Sequence, residues 1–219
     1  PYTATSSQFT SSFPSWAVAG GHAAFVARMQ DPEQRARARQ ALIDKRLTSV
    51  RGLDPLERIY VAGSTAHPDY DGQTLGALLR RQGRALMAES AADLIIDMEM
   101  EDQPLAVFFQ MDEPDVDSLL VMPGNMIASD GELGIPGHGS PHPRYYGTFP
   151  RVLATYVRQH GTLPLADAVR RMTSLPAQAM RFADRGVLRP GMAADVVVFD
   201  ADGVQDLATF EQPHQYPRG

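Results

Sequence analysis

The sequence predicts an α/β fold, and three observations carry that expectation. Short, largely apolar runs at 105–109 and 125–128 have the length and composition of buried strands. Helical patterns with recognisable caps lie between and after such runs. Asp130 stands where the second run stops, at Ser129-Asp130-Gly131. In a parallel α/β barrel the C-terminal strand ends carry the active site, because the loops leaving the strands converge there.

Taken in order, residues 1–5 read as a strand giving way to the turn residues Ser6 and Ser7. Pro14-Ser15-Trp16-Ala17 and Gly20-Gly21 bracket a short helix, with Trp16 read as core packing rather than a binding platform. Asp31-Pro32-Glu33 is a helix start: a capping acceptor, a proline at the first turn and an acid at the positive helix end. That helix runs to about Lys45, and its cluster Arg35, Arg37, Arg39 reads as a solvated outer face. The next strand is 58–62, broken by a polar turn containing His67. A lone histidine without a partner at useful spacing makes no metal site.

Helices are expected at 75–82 and 84–98, followed by the acids Asp97, Glu99, Glu101 and Asp102, which read as a solvated segment end. The run 105–109 reads as a strand buried on both faces and ends just before Met111, with a helix signal at Asp112-Glu113-Pro114. Beyond the loop that follows Asp130, helices are expected at 149–159 and from 165 to 172, and Ser174-Leu175-Pro176 turns the chain toward a third. Gly186 to Gly191 makes a tight turn. Ala194-Asp195-Val196-Val197-Val198-Phe199-Asp200 is the clearest strand pattern in the chain.

Composition narrows the function. A 43% hydrophobic and 21% charged content belongs to a globular chain, and 219 residues fit one large α/β domain or one domain and part of another. A net charge of −6 with no basic stripe argues against a general nucleic-acid binder. The absence of cysteine excludes disulfides and thiolate metal sites. No apolar run approaches the roughly 20 residues that cross a bilayer. A cytoplasmic location is the expectation. There is no Gly-x-Ser-x-Gly elbow, dinucleotide fingerprint or P-loop lysine motif. Pro1 sits inside a strand pattern and 211–216 resembles an internal segment, so both ends are expected to lie within domains.

Asp130 and Arg144 stand out as a minimal hydrolase kit: one acid for proton transfer and one planar cation for an anionic substrate group. The bland readings are a loop-capping aspartate and an arginine that ties the loop to an acid. His138 and His142 are four apart, but Gly139-Ser140-Pro141 between them excludes a helix, so the spacing has no geometric meaning.

Ile127-Ala128-Ser129-Asp130-Gly131, then His142-Pro143-Arg144, then Gly147-Thr148-Phe149-Pro150-Arg151 resemble the N-acyl-D-amino-acid deacylases of the metal-dependent amidohydrolase superfamily. Weaker matches lie at 1–6, 111–113, 172–177 and 186–200. The resemblance implies the C-terminal part of a TIM-like (β/α)8 barrel over 1–185 and the start of a small β-sandwich domain over 186–219. It also implies hydrolysis of an N-acyl-D-amino acid, in which a divalent ion lowers the pKa of a bound water toward about 7. Asp130 would move the proton, and Arg144 would hold the substrate carboxylate. Met111, Ser6, Tyr2 and His142 would line the pocket or its edge.

The implied cofactor is zinc, yet the family's His-x-His strand and later histidines are not in this sequence, so the ligands are expected upstream. The implied partners are a small N-acyl amino acid and the missing N-terminal half of the barrel, with no nucleic acid and no membrane. A half-barrel alone is expected to be unstable or to associate. Two alternatives stay open: a dipeptidase-like or cyclic-amide amidohydrolase, and a non-catalytic remnant that only associates with another subunit.

Overall fold

A computed structural model describes residues 1–48 and 54–219. Two units gather around separate apolar cores: a sheet unit of Ala4–Gln110 with Gly137–His142, and a helical unit of Pro1–Thr3, Met111–Pro136 and Pro143–Gly219.

In the sheet unit, β1 (Ala4–Gln8), β2 (Ile59–Gly63) and β3 (Leu105–Phe109) form a three-stranded sheet in the order β1-β3-β2. β3 is central, and Ala106, Val107 and Phe108 are all buried, which explains why its sequence is continuously apolar rather than alternating. Both pairings are antiparallel, with Ala4 opposite Phe109 and Ile59 opposite Phe108. The pairing within this sheet therefore differs from the parallel pairing expected. Apolar periodicity specifies which residues are buried, and strand direction is not contained in it.

Helices α1 (Ser15–Val18), α2 (His22–Met29), α3 (Pro32–Leu42), α4 (Leu75–Arg81) and α5 (Ala88–Glu101) pack on the sheet through Phe25, Leu42, Leu79, Ile95 and Ile96. The Asp31 side chain accepts from the N–H groups of Glu33 and Gln34 at 2.9 and 3.0 Å, and Pro32 occupies the first turn, as the start signal requires. The chain then widens into a π-helix at Ile43–Leu47. The arginines of α3 are not simply solvated. Arg35 bonds Asp97 at 2.6 Å and Asp93 at 3.2 Å on α5, and Arg37 lies 4.3 Å over the partly buried Trp16 ring.

The acids at the end of α5 also depart from the solvated reading. Glu99 is only 1% exposed, because it falls one turn beyond Ile95 and Ile96 on the buried face, and it accepts from Thr10 Oγ1. Asp102 Oδ2 gathers the turn after β2, accepting from Ser64 Oγ at 2.9 Å and from the N–H groups of Thr65 and Ala66 at 2.5 and 2.9 Å.

The helical unit contains α6 (Glu113–Val121), α7 (Arg144–Arg151), α8 (Leu165–Met172) and α9 (Ser174–Ala179) around Val116, Leu120, Ile127, Val152, Tyr156 and Leu163. α6 starts with a capping box between Asp112 and Asp115. Pro150 removes a hydrogen bond inside α7, and the helix continues from Val152 to Gln159 with π geometry, the local widening expected where the ladder is interrupted.

Two expected strands are not in ladders. At 125–128, Ile127 is buried, but its N–H donates to Arg171 O at 3.1 Å, while Arg171 Nη1 donates to the carbonyls of Met122 and Asn125 at 2.7 and 3.1 Å. A side chain and a helix end thus satisfy groups that a neighbouring strand would otherwise pair. At 194–200 the chain forms no strand, and Val197 and Val198 are 84% and 92% exposed.

Candidate active site

The helical unit brings Asp130 and Arg144 together. Arg144 opens α7, and its Nη2 lies 2.7 Å from Asp130 Oδ2. The two ends of this ion pair are unequal: the arginine side chain is 12% exposed and the aspartate 81%. Asp130 has φ +48°, in the left-handed region uncommon for a residue with a Cβ, so the backbone leaves the preceding extended run sharply. Gly131 permits the return, since a Cβ there would lie 3.2 Å from Arg144 O. On the first turn of α7, burial and the charge of Glu132 push the Tyr145 phenol up to about 12.

Tyr2 belongs to the same unit but has different company. It is buried, its hydroxyl donates to Asp206 Oδ2 at 3.1 Å, and the Arg151 guanidinium sits 4.9 Å over its ring. Burial, then the Asp206 charge, raise the phenol well above its ordinary value. Burial likewise raises the Asp206 carboxyl above the usual range. Arg151 donates to Pro1 O at 3.0 Å and to Glu113 Oε1 at 3.1 Å, and Tyr156 Oη donates to Glu113 Oε2 at 2.8 Å. Met111 is half-buried beside this group, its N–H donating to Thr3 O at 3.1 Å.

Ser6 and His142 fall in the sheet unit. Ser6 lies on β1 opposite Val107, and its buried hydroxyl has no hydrogen-bond partner among the described residues. His142 is fully buried, and its Nε2 donates to Ala4 O at 3.0 Å, a loop-ordering contact. His138 is exposed, and His67 is paired with Glu101 and stacked on Tyr70. Among the described residues, no three His, Cys, Asp or Glu side chains converge to hold a metal ion.

Arg151, Glu113, Tyr156 and Asp206 were not singled out by the sequence. Arg151 closes the Gly-Thr-Phe-Pro-Arg motif, a signal that could have found it. Asp206 had none, because only folding brings it to Tyr2, 204 residues earlier.

The sequence profile of the amidohydrolase family matches residues 33–218. The chain belongs to the amidohydrolase family. It is 40% identical over 170 residues to the D-aminoacylase of Alcaligenes xylosoxydans xylosoxydans, covering 74% of this chain and 33% of that protein. An N-acyl-D-glutamate deacylase of the same organism is 40% identical over 160 residues, covering 73% and 30%.

A crystal structure of a D-aminoacylase superimposes with a TM-score of 0.65 at 39% identity, covering 74% of this chain and 32% of that one. The N-acyl-D-glutamate deacylase of Bordetella bronchiseptica superimposes equally well, at a TM-score of 0.65 and 40% identity, covering 75% and 32%. That protein was crystallised with zinc and a phosphonate inhibitor mimicking the tetrahedral intermediate. This amidohydrolase chain thus spans about a third of the length of the relatives it matches. The expected α/β class holds, since these solved neighbours are amidohydrolases of the TIM-barrel type.

Proposed function

We propose that this chain supplies the proton-transfer and carboxylate-binding side of a metal-dependent deacylase that hydrolyses N-acyl-D-amino acids to a carboxylate and a free D-amino acid. The observation that carries the reading is the Asp130–Arg144 pair at 2.7 Å, one acid and one guanidinium side by side in the helical unit. The relatives named as D-aminoacylase and N-acyl-D-glutamate deacylase support the substrate class.

Zinc does not fit the described residues, which bring no ligand group together, and its ligands fall to the part of the relatives' length that this chain does not span. The accompanying small molecule is an N-acyl amino acid, and that remaining length is the required partner. The division into 1–185 and 186–219 and a cytoplasmic location belong to the same proposal.

The unequal exposure of the pair supports an order of events. The Arg144 side chain is largely buried and that of Asp130 largely exposed. The planar guanidinium offers an incoming α-carboxylate a two-pronged contact, and that carboxylate takes the place of Asp130. The released Asp130 then accepts the proton of the attacking water and returns it to the departing amine nitrogen, which is a poor leaving group unprotonated.

The test uses the intact enzyme, assayed on N-acyl-D-amino acids and on cyclic neutral amides. Asp130→Ala is expected to lower kcat by about 10²–10⁴-fold. It should bind an uncleaved N-acyl-D-amino acid at least as tightly as the parent, because the internal competitor for Arg144 is gone. Arg144→Lys is expected to raise KM by about tenfold through loss of the fork geometry. Unchanged kinetics in both variants, or preferred turnover of cyclic amides, would overturn the reading.

A further inference from the structure

The sheet unit holds a second chemically distinctive feature, a hollow of about 220 Å3 whose described walls include Lys45, Arg46, Thr48, Arg58, Phe108 and Phe109. Three of these residues are cationic, and no carboxylate is among the described residues that line it. The acids nearest in sequence are committed elsewhere. Glu57 bonds Arg80 at 3.0 Å and Thr74 at 2.8 Å, Asp44 accepts from Gln40 Nε2 at 2.8 Å, and Asp54 accepts from the N–H of Leu56 at 2.9 Å.

Among the described residues, Lys45 and Arg46 bond to neutral groups. Lys45 Nζ donates to Ser11 O at 2.8 Å, and Arg46 Nε donates to Ser12 Oγ at 3.2 Å. Arg46 also lies with its guanidinium 4.6 Å over the Phe108 ring, and burial lowers its pKa. A desolvated guanidinium without a counter-charge is costly, and an anion placed beside it lowers that cost.

We propose that this hollow binds a small organic oxyanion, a carboxylate or phosphate carried on an aryl or short acyl body. The guanidinium groups offer planar forks to the oxyanion, and the half-buried Phe109 offers an apolar wall to the body. The volume lies below the roughly 300–1,000 Å3 of common small-molecule pockets, which limits the body to about a single ring or a short chain. The site is separate from the Asp130–Arg144 pair, which belongs to the other unit.

The experiment titrates the full chain with benzoate, phenyl phosphate, inorganic phosphate and benzyl alcohol, read by NMR and calorimetry. Benzoate or phenyl phosphate is expected to bind more tightly than inorganic phosphate, and benzyl alcohol not to bind. The tighter of the first two identifies the carboxylate or the phosphate as the natural head group. Arg58→Gln should weaken binding by about tenfold or more, and Arg58→Lys, which keeps the charge but loses the fork, should weaken it by less than Arg58→Gln does. Arg58 is changed rather than Arg46, because Arg46 packs on Phe108 and its loss affects folding as well.

Arg144→Gln serves as the control for carboxylate binding at the other unit: it removes any benzoate held there and should leave the binding that Arg58→Gln weakens in place. Benzyl alcohol binding as tightly as benzoate would overturn the proposal. So would an Arg58→Gln protein that binds like the parent, inorganic phosphate matching phenyl phosphate, or loss of binding in Arg144→Gln.

Discussion

Glu99 carries a carboxyl into the interior of the sheet unit, where it is 1% exposed. Asp130 and Arg144 were legible because each stands at a boundary, the end of an extended run and the start of a helix, and the structure pairs them. Glu99 was not legible as a buried group, since a glutamate among four acids reads as solvated until the phase of its helix is known. Burial holds its carboxyl above the usual range, partly offset by the hydrogen bonds from Thr10 and Gln103. A folded-state pKa above the unfolded value means that the protonated acid's contribution is complete below the unfolded pKa, about 4.3, and is lost as pH rises through the folded value. Glu99→Gln keeps the shape and removes the charge. It is expected to stabilise the chain by about 1 kcal/mol at neutral pH and to flatten the acid-to-neutral part of the stability profile, measured by urea unfolding across pH. A variant less stable than the parent at neutral pH would contradict this.

At the level of elements, the helices were the readable part and the strands only partly so. The cap at Asp31 and the helix start at Asp112 are written in contiguous residues, so local chemistry sufficed. The runs at 125–128 and 194–200 have strand composition but no ladder, because a strand requires a neighbour and composition does not provide one. Helix α7 illustrates a further requirement that no motif announces. Gly147 faces the Asp206 carboxylate so closely that an added Cβ would overlap Oδ1, and the same carboxylate receives the Tyr2 hydroxyl. Gly147→Ala is therefore expected to cost about 1–3 kcal/mol through displacement of Asp206, despite alanine's better helix propensity. In an Asp206→Ala background the same change should cost much less, and a denaturation double-mutant cycle measures the difference. Additive effects would show that Gly147 is needed for another reason.

For the whole molecule, the family was legible from three short motifs around one loop, whereas the division into two units was not, because the segment 137–142 joins the sheet unit while its flanks do not. Val196, Val197 and Val198 lie exposed, together with Leu133 and Ile135. Apolar surface of this kind favours association of the chain with itself. Val198→Lys is expected to weaken self-association by about tenfold, in line with ~1.5 kcal/mol for one buried valine, as read by light scattering against concentration. No change would place the association surface elsewhere.

The ion pair between Arg144 and Asp130 also bears on how the proposed enzyme responds to ionic strength. Exchanging one carboxylate for another at the same guanidinium breaks one charge pair as it makes one, so screening weakens both sides of the equilibrium together. Arg58, beside the cationic hollow, is paired with no carboxylate among the described residues, so an anion bound there would have no such cancellation. The first arrangement holds its anion almost independently of added salt, and the second releases its anion as salt rises.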